Sequence, residues 1–323
     1  MTTATTGVRT ERSIRSRAGK DGKNTFKTTR IRLTSRGATI GAIVIAFVWT
    51  IPTFGVFVSS FRPPADINTS GWWTVFTNPQ LTIQNYVSAI NFDDGGISVG
   101  GSVINSLAIS IPASIIPIVI AALAAYGLAW INFRGRNIVF VCIFALQIVP
   151  LQLALVPLLS LYSNGVAAFG VQIIPALNLS STTASFAEVW ISHTIFAMPL
   201  AIFLLHNSIA SLPRELVEAA RVDGAGHGQI FFRVVLPLAL PSMAAFGIFQ
   251  FLWVWNDLLV ATIFTSGQNA PVTKVLTDLS GTYGQQWYLL TAGTFLAIAV
   301  PLVVFFSLQR FFVRGLLAGA TKG

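Results

Sequence analysis

The sequence predicts an all-α integral membrane protein with six transmembrane helices, because of its hydropathy, its long apolar runs and its uneven distribution of charge. Hydrophobic residues make up 54% of the 323 residues and charged residues only 10%, and the mean hydropathy is +0.71. So few polar side chains cannot cover a water-soluble domain of this length. We therefore expect the chain to lie in a lipid bilayer.

Six apolar runs are each long enough to cross the hydrocarbon core as a helix, which takes about 20 residues. The runs are continuously apolar, whereas membrane-spanning strands are shorter and alternate polar with apolar side chains, so helices are predicted. They extend from Ala38 to Phe61, Ser102 to Ile131, Ile138 to Tyr162, Val189 to Leu205, Leu238 to Thr265 and Tyr288 to Leu308.

The basic residues predict that both termini are cytoplasmic, since Lys and Arg are retained on the cytoplasmic side of short loops. Eighteen of the 20 lie in the two terminal segments and in the loops after the second and fourth apolar runs. Only Arg62 and Lys274 lie on the opposite face. The net charge of +9 is therefore explained by membrane topology, and no nucleic-acid partner is predicted.

Two regions are predicted, residues 1–37 and residues 38–323. The first is a basic cytoplasmic tail rich in Thr, Ser, Gly and Arg, for which we expect disorder; contact with anionic lipid is an open alternative. The second contains the six helices. In its first outer loop, Trp72 and Trp73 suit either anchorage at the headgroup level or stacking against a ligand.

The loop at about 207–237 concentrates charge and glycine in the stretch RELVEAARVDGAGHGQ. Pro213 favours the start of a helix there, and glycines beginning at Gly224 favour a sharp turn after it. Glu218 is spaced to pair with Arg214 and Arg221. An apolar stripe is formed by Leu212, Leu216, Ala219 and Ala220. From the residues alone, the simplest interpretation is an amphipathic connector that lies on the headgroups.

The string EAARVDGAGHGQIFFRVVLP resembles the EAA loop of ATP-binding cassette (ABC) importer permeases, and we use that name for residues 207–237. NSLAIS, AAYGLAWINFRGR, WNDLLVATIF and GLLAGATKG are similar, in the same order, to the maltose-type carbohydrate permeases. The resemblance implies the type I ABC importer permease fold. It also implies a multi-pass protein of a bacterial or archaeal plasma membrane.

In that family the EAA loop forms a coupling helix that docks in a cleft of the ATPase subunit. Carried onto this chain, the resemblance assigns polar contacts in the cleft to Glu218, a small docked face to Ala219 and Ala220, and the shape of the turn to Asp223 and Gly224. His227 falls in a variable stretch and is assigned no role.

Neither a cofactor nor a metal ion is expected on this chain. A phosphate-binding loop of the form G-x-x-x-x-G-K-[ST] is missing from the sequence, so ATP would be hydrolysed by a separate subunit. The three histidines lack metal-ligand spacing, and no nucleophile motif is found, so an enzyme is not predicted. The resemblance implies three kinds of partner: a second, related permease in a heterodimer, two ATP-binding subunits and an extracytoplasmic sugar-binding protein.

Polar residues inside the apolar runs are candidates for the substrate path, because such side chains face a cavity or the interior of the helix bundle. They are Asn105, Gln147, Gln152, Gln250, Asn256 and Asp257. Asp257 has two interpretations, a buried structural contact with Asn256 or a group that lines the path. His193 is expected to pair with Glu188.

The function that these features predict is the permease subunit of an ATP-driven sugar importer. Within the family, the aromatic stretch FQFLWVWNDLLVATIF looks most like permeases for α-glucosides and related disaccharides, such as maltose or trehalose. The alternative is an ion-coupled secondary transporter or channel that uses Asp257.

Overall fold

The computed structural model of the chain describes residues 36–91, 97–168, 171–176, 182–265, 267–282 and 286–320. The predicted basic tail, residues 1–37, therefore lies almost wholly outside the described residues. The chain divides into two compact units, residues 1–58 and 59–323. In the first unit, the described residues belong to one helix, α1 (Arg36–Ser60), which is strongly apolar and has no distinct polar face. A helix of this kind is typical of a membrane span.

The second unit is mostly helical in its described part and contains a short antiparallel hairpin. The hairpin pairs β1 (Val166–Ala168) with β2 (Val171–Ile174). The helices are α2 (Pro64–Thr69), α3 (Gln84–Asn91), α4 (Val99–Trp130), α5 (Arg136–Ala145), α6 (Leu151–Asn164), α7 (Thr182–Ala210), α8 (Arg214–Val222), α9 (His227–Ile230), α10 (Leu236–Trp255), α11 (Leu259–Phe264), α12 (Val272–Thr282) and α13 (Trp287–Ala320).

Five helices within the described residues are long and apolar enough to cross a membrane, and a bent pair is a candidate for the sixth span. The bent pair is α5 with its short 3-10 extension followed by α6. The helix direction bends by 101° between the two parts. Val149 and Pro150 are both extended at the junction, with ψ angles of 118° and 132°. Proline cannot donate the next helical hydrogen bond and disfavours a helical residue before it, so the helix breaks here.

The fifth predicted run is also divided. A π-helical turn (Phe231–Val235) joins α9 to α10, and together they form one span that ends at Trp255. The helix is then interrupted before α11 begins at Leu259. Asp257 therefore lies in a break between two helices, where the sequence predicted one uninterrupted span.

α4 is the central helix of the second unit and contacts α3, α7, α10, α12 and α13. Its buried face carries small side chains at helical spacing: Ser102, Ser106, Ser110, Ser114, Ala121, Ala122 and Ala125. Lipid tails are as apolar as leucine, so spanning helices associate mainly through close packing, which small residues permit. The hydroxyl of Ser114 donates to the carbonyl oxygen of Ser110 at 2.6 Å, so this polar group is satisfied within the helix.

The small face of α4 predicts that Ala121→Leu is destabilising. Ala121 is fully buried between helices, and a larger side chain would force them apart at a cost of about 1–3 kcal/mol. Val119→Leu is the control, since Val119 is exposed on the same helix. Thermal unfolding of the purified full-length chain in detergent should show a lower midpoint for Ala121→Leu only. Equal midpoints for the two variants would show that close packing at this face is unimportant.

Candidate functional site

The EAA loop folds as a helix, a glycine turn and a second helix. α8 starts directly after Pro213, with an acidic residue in its first turn and a basic residue in its last, as the helix dipole favours. At its end the N–H of Gly224 donates to Arg221 O at 3.0 Å, and the N–H of Ala225 donates to Ala220 O at 2.9 Å. This pair of bonds is a Schellman motif. Gly224 has a φ of 81°, a conformation that glycine adopts without strain.

The apolar residues of α8 lie on two different faces. Val217 is buried, and Ala220 packs beside it against the core of the unit. Leu216 and Ala219 are exposed, so the stripe that the sequence suggested is not a single face. Val222 is 88% exposed at the end of the helix. The outward face therefore presents small and apolar side chains to the surroundings.

Glu218 is exposed on α8 and does not form the predicted ion pairs with Arg214 and Arg221. Instead, Nη2 of Arg221 donates to the backbone oxygen of Trp130 at 3.4 Å. Trp130 is the last residue of α4, so this bond links the first half of the EAA loop to the central helix.

The second half of the loop is linked to the same helix through His227, a residue to which the sequence assigned no role. The hydroxyl of Tyr126 on α4 is 2.9 Å from Nδ1 of His227 and also donates to its backbone oxygen at 3.3 Å. The Tyr126 ring packs edge-on against Phe231. A tyrosine in a long apolar run gives no sequence signal for this partner, which lies 101 residues away.

One apolar cluster joins the loop to three spans. The loop contributes Ile209, Val217, Ile230, Phe231 and Val235 to it, and all five side chains are buried. The remaining members come from α4, α7 and α10. Because such a core is close-packed, a displacement of the loop is transmitted to these helices.

At the middle of the unit, His193 on α7 faces Asp257. Nε2 of His193 is 3.7 Å from Oδ2 of Asp257, and the two side chains are 3% and 9% exposed. The same oxygen accepts the N–H of Ala261 at 3.1 Å, so Asp257 caps the first turn of α11. The expected pairing of His193 with Glu188 was wrong. A buried contact was one of two interpretations of Asp257, and its partners are His193 and the N–H of Ala261 where Asn256 had been suggested. Asn256 donates its amide to Leu252 O at 2.7 Å.

Two neighbouring cavities between α7 and α10 bring together four of the six substrate-path candidates. A cavity of about 30 Å³ is lined by Gln147 and Gln250, together with His193. A larger one, of about 860 Å³, is lined by Asn256 and Asp257. The cavities share the aromatic side chains of Phe246, Phe249 and Trp253 in their walls. Mostly apolar walls with a few polar groups are typical of ligand sites.

The other two candidates lie outside both cavities. The amide of Asn105 donates to the backbone oxygens of Gln268 and Ala270 at 2.7 and 3.2 Å, which fixes the segment before α12 on α4. Gln152 is exposed near the start of α6. Among the described residues, no three His, Cys, Asp or Glu side chains cluster as metal ligands would.

Comparison with known proteins identifies the family. Residues 96–317 match the model of the binding-protein-dependent transport system inner membrane component. The chain belongs to this family. It is therefore an inner-membrane, multi-pass permease subunit of an ABC importer that works with a binding protein.

Two curated relatives are each 47% identical to this chain. One is the osmoprotective compounds uptake permease protein GgtD of Synechocystis sp., over 88% of this chain and 91% of that protein. The other is the α-glucoside transport system permease protein AglG of Rhizobium meliloti, over 78% of this chain and 63% of that protein.

A solved structure shows the same fold. A chain of a bacterial ABC transporter involved in the import of the acidic polysaccharide alginate superposes with a TM-score of 0.62 at 19% identity. The match covers 86% of this chain and 98% of that one. The type I ABC importer permease fold that the sequence implied is thus confirmed.

The turn after α8 yields a prediction that separates two neighbouring glycines. Gly224→Ala should destabilise the turn by about 1–2 kcal/mol, because an L-residue with a side chain is strained in the left-handed region. Gly226 has a φ of −75° and open space around its Cβ position, so Gly226→Ala is the matched control.

The measurement is substrate uptake by cells that express each variant at equal level. We expect uptake to fall several-fold in Gly224→Ala and to stay within about twofold of the parent in Gly226→Ala. Normal uptake in Gly224→Ala would show that the left-handed turn is not needed for function.

Proposed function

We propose that this permease imports α-glucosides or similar small oligosaccharides, and that ATP hydrolysis drives it through the EAA loop. The observation that supports the coupling role is the cluster in which Val217 of α8 packs with buried residues of α4, α7 and α10. α8 cannot be displaced without displacing the three spans, because the loop and these spans are packed together. The loop is therefore suited to move the spans.

The outward face of α8 is suited to dock a partner. Glu218 and Ala219 are exposed, and Leu216 and Val222 present apolar surface beside them. A helix that enters a cleft must approach the partner closely and form a polar contact with it. The small and apolar side chains allow the close approach, and the carboxylate supplies the polar contact. We assign this face to the ATPase subunit, with Ala220, Asp223 and Gly224 holding the helix and its turn in place.

The assembly that follows from this assignment contains several chains. Two ATP-binding subunits hydrolyse the nucleotide, and this chain binds no cofactor of its own and catalyses no reaction. A second, related permease pairs with this one, and an extracytoplasmic sugar-binding protein delivers the substrate. The face between α7 and α10 is suited to line a substrate path between the two permeases. The cavities open on this face, and Phe249 and Trp253 are exposed in their walls.

The sugar class rests on the relatives and on the chemistry of this face. One relative is named for α-glucosides and another for osmoprotective compounds, both at 47% identity. The face offers aromatic rings, the uncharged amides of Gln147, Gln250 and Asn256, and the carboxylate of Asp257, which is already held by His193 and the N–H of Ala261. Neutral polyhydroxy compounds suit such a lining better than charged substrates do, because a charged ligand would lose its hydration there without adequate compensation.

The proposal is tested in proteoliposomes that contain this chain, its partner permease and the ATPase subunits. Uptake of a radiolabelled α-glucoside should require both the binding protein and ATP on the cytoplasmic side. A protonophore should leave uptake unchanged. Uptake that persists without ATP but collapses with the protonophore would contradict the proposal and favour an ion-coupled carrier.

The Asp257→Asn variant is a second test that distinguishes an ATP-driven importer from an ion-coupled carrier. An ion-coupled carrier needs the charge of the carboxylate. In the proposed importer, Asp257 acts through the oxygen that accepts the N–H of Ala261, and an asparagine retains such an oxygen. We therefore expect Asp257→Asn to keep most of the uptake, and Asp257→Leu, which removes the acceptor, to lose more.

A further inference from the structure

Another cavity lies beside the EAA loop, at the end of the spans that the charge distribution places in the cytoplasm. Its volume is about 400 Å³, and α4, α5, α7 and α8 contribute to its walls. The cavity is distinct from the two between α7 and α10, and its lining is rich in polar side chains. These include Asn132, Arg136, Asn137, Arg214, Glu218 and Arg221.

The cavity has an excess of positive charge. Three guanidinium groups, those of Arg136, Arg214 and Arg221, face a single carboxylate, that of Glu218. Within the described residues, none of the three arginines forms an ion pair. Arg136 donates to the amide oxygen of Asn132 at 3.2 Å, and Arg221 donates to a backbone oxygen. These bonds orient two of the guanidinium groups and leave their charge uncompensated.

Trp130 contributes to the same wall. Its Nε1 atom is buried and has no hydrogen-bond partner within the part of the chain that the structure describes. A buried donor without an acceptor has lost its solvation and gained nothing in return. The indole N–H presents almost no accessible surface, so the donors that a ligand in the cavity would meet are the guanidinium groups.

We propose that this cavity is a phosphate-binding site and that the phosphate belongs to the headgroup of an anionic phospholipid. Guanidinium groups match phosphate oxygens in two-point hydrogen bonds, and three of them line this cavity. A lipid is favoured over a soluble phosphate by the surroundings. Ile138 and Val141 on α5, next to Arg136, are 70% and 63% exposed and can lie against an acyl chain.

A lipid at this position would contact the loop and the spans at once. The charge distribution places this end of the spans on the cytoplasmic side, where anionic headgroups meet spanning helices. Arg214 and Arg221 belong to α8, whereas Arg136 begins α5, so one headgroup would join the docking helix to the membrane domain. The anionic lipid content of the membrane would then influence the stability of the EAA loop.

The test uses the full-length chain, purified in a neutral detergent and titrated with soluble short-chain lipids. Ligand binding to the folded state raises the unfolding temperature. We expect short-chain phosphatidylglycerol to raise it and short-chain phosphatidylcholine, whose choline cation would face the arginines, to leave it unchanged. Inorganic phosphate is the third probe. Stabilisation by inorganic phosphate without stabilisation by phosphatidylglycerol would overturn the lipid assignment, and no stabilisation by either would overturn the site.

The variants separate the cavity from general attraction to a basic surface. Arg136→Gln and Arg214→Gln should each weaken the apparent affinity about tenfold. Arg134→Gln is the matched control, since Arg134 is exposed two residues from Arg136 and does not line the cavity. An equal loss in Arg134→Gln would contradict the proposal.

Two further measurements separate loss of the site from loss of folding and from overlap with the ATPase surface. The unfolding temperature of each variant without ligand shows whether the variant folds. Arg136→Lys keeps the positive charge but loses the two-point hydrogen bonding of the guanidinium group, so it should bind with intermediate affinity. The titration is repeated with the ATPase subunit bound to the chain. Loss of phosphatidylglycerol binding in that complex would assign the cavity to the docking surface and overturn the proposal.

Discussion

The close approach of helices along the small face of α4 is the constraint on which the rest of this structure depends. In lipid, apolar side chains gain nothing by leaving solvent, so a bundle is held by packing and by interhelical hydrogen bonds. The buried serines and alanines from Ser102 to Ala125 give α4 that packing on several sides. Ser106 also accepts the N–H of Val272 at 2.8 Å, which fixes the start of α12.

The same helix carries the contacts that give the EAA loop its position. Tyr126 and Trp130, in the last turns of α4, bond to His227 and Arg221 in the two halves of the loop. A docking helix that was tethered only by flexible connections could move without moving the spans. Here two hydrogen-bonded links and one apolar cluster make the loop part of the packed body, which is the mechanical requirement for coupling.

Hydropathy predicted the approximate limits of most spans, because it depends on composition over about 20 residues. The described residues contain five spanning helices and a bent pair that is a candidate for the sixth. The same averages missed the breaks at Pro150 and Asn256, which depend on single residues and on neighbours distant in sequence. Within α8, the sequence suggested that Leu216 and Ala219 share a face with Ala220, whereas Val217 is the residue that packs inward. The rotation of a short helix is set by its tertiary contacts, so a periodic pattern of modest length does not determine it.

In the candidate sites too, the sequence predicted features that depend on residue type and missed those that depend on tertiary contacts. Glycine at position 224 was recognisable because a left-handed turn requires a particular residue type. The partners of Asp257, Asn105 and His227 were not, since each lies far along the chain or in the backbone of another element. Polarity inside an apolar run indicates that a side chain has a partner. It does not distinguish a partner in the protein from one in the substrate.

The central claim, that α8 transmits the action of an ATPase subunit, is tested most directly by a cysteine at position 219. In a Cys142→Ser background, needed because Cys142 is exposed, Ala219→Cys should crosslink to a cysteine in the cleft of the co-assembled ATPase subunit. ATP should change the yield. Ala220→Cys, on the inward side of the helix, should crosslink poorly. No crosslink from position 219 in an assembled complex, or equal and ATP-independent crosslinks from both positions, would contradict the account.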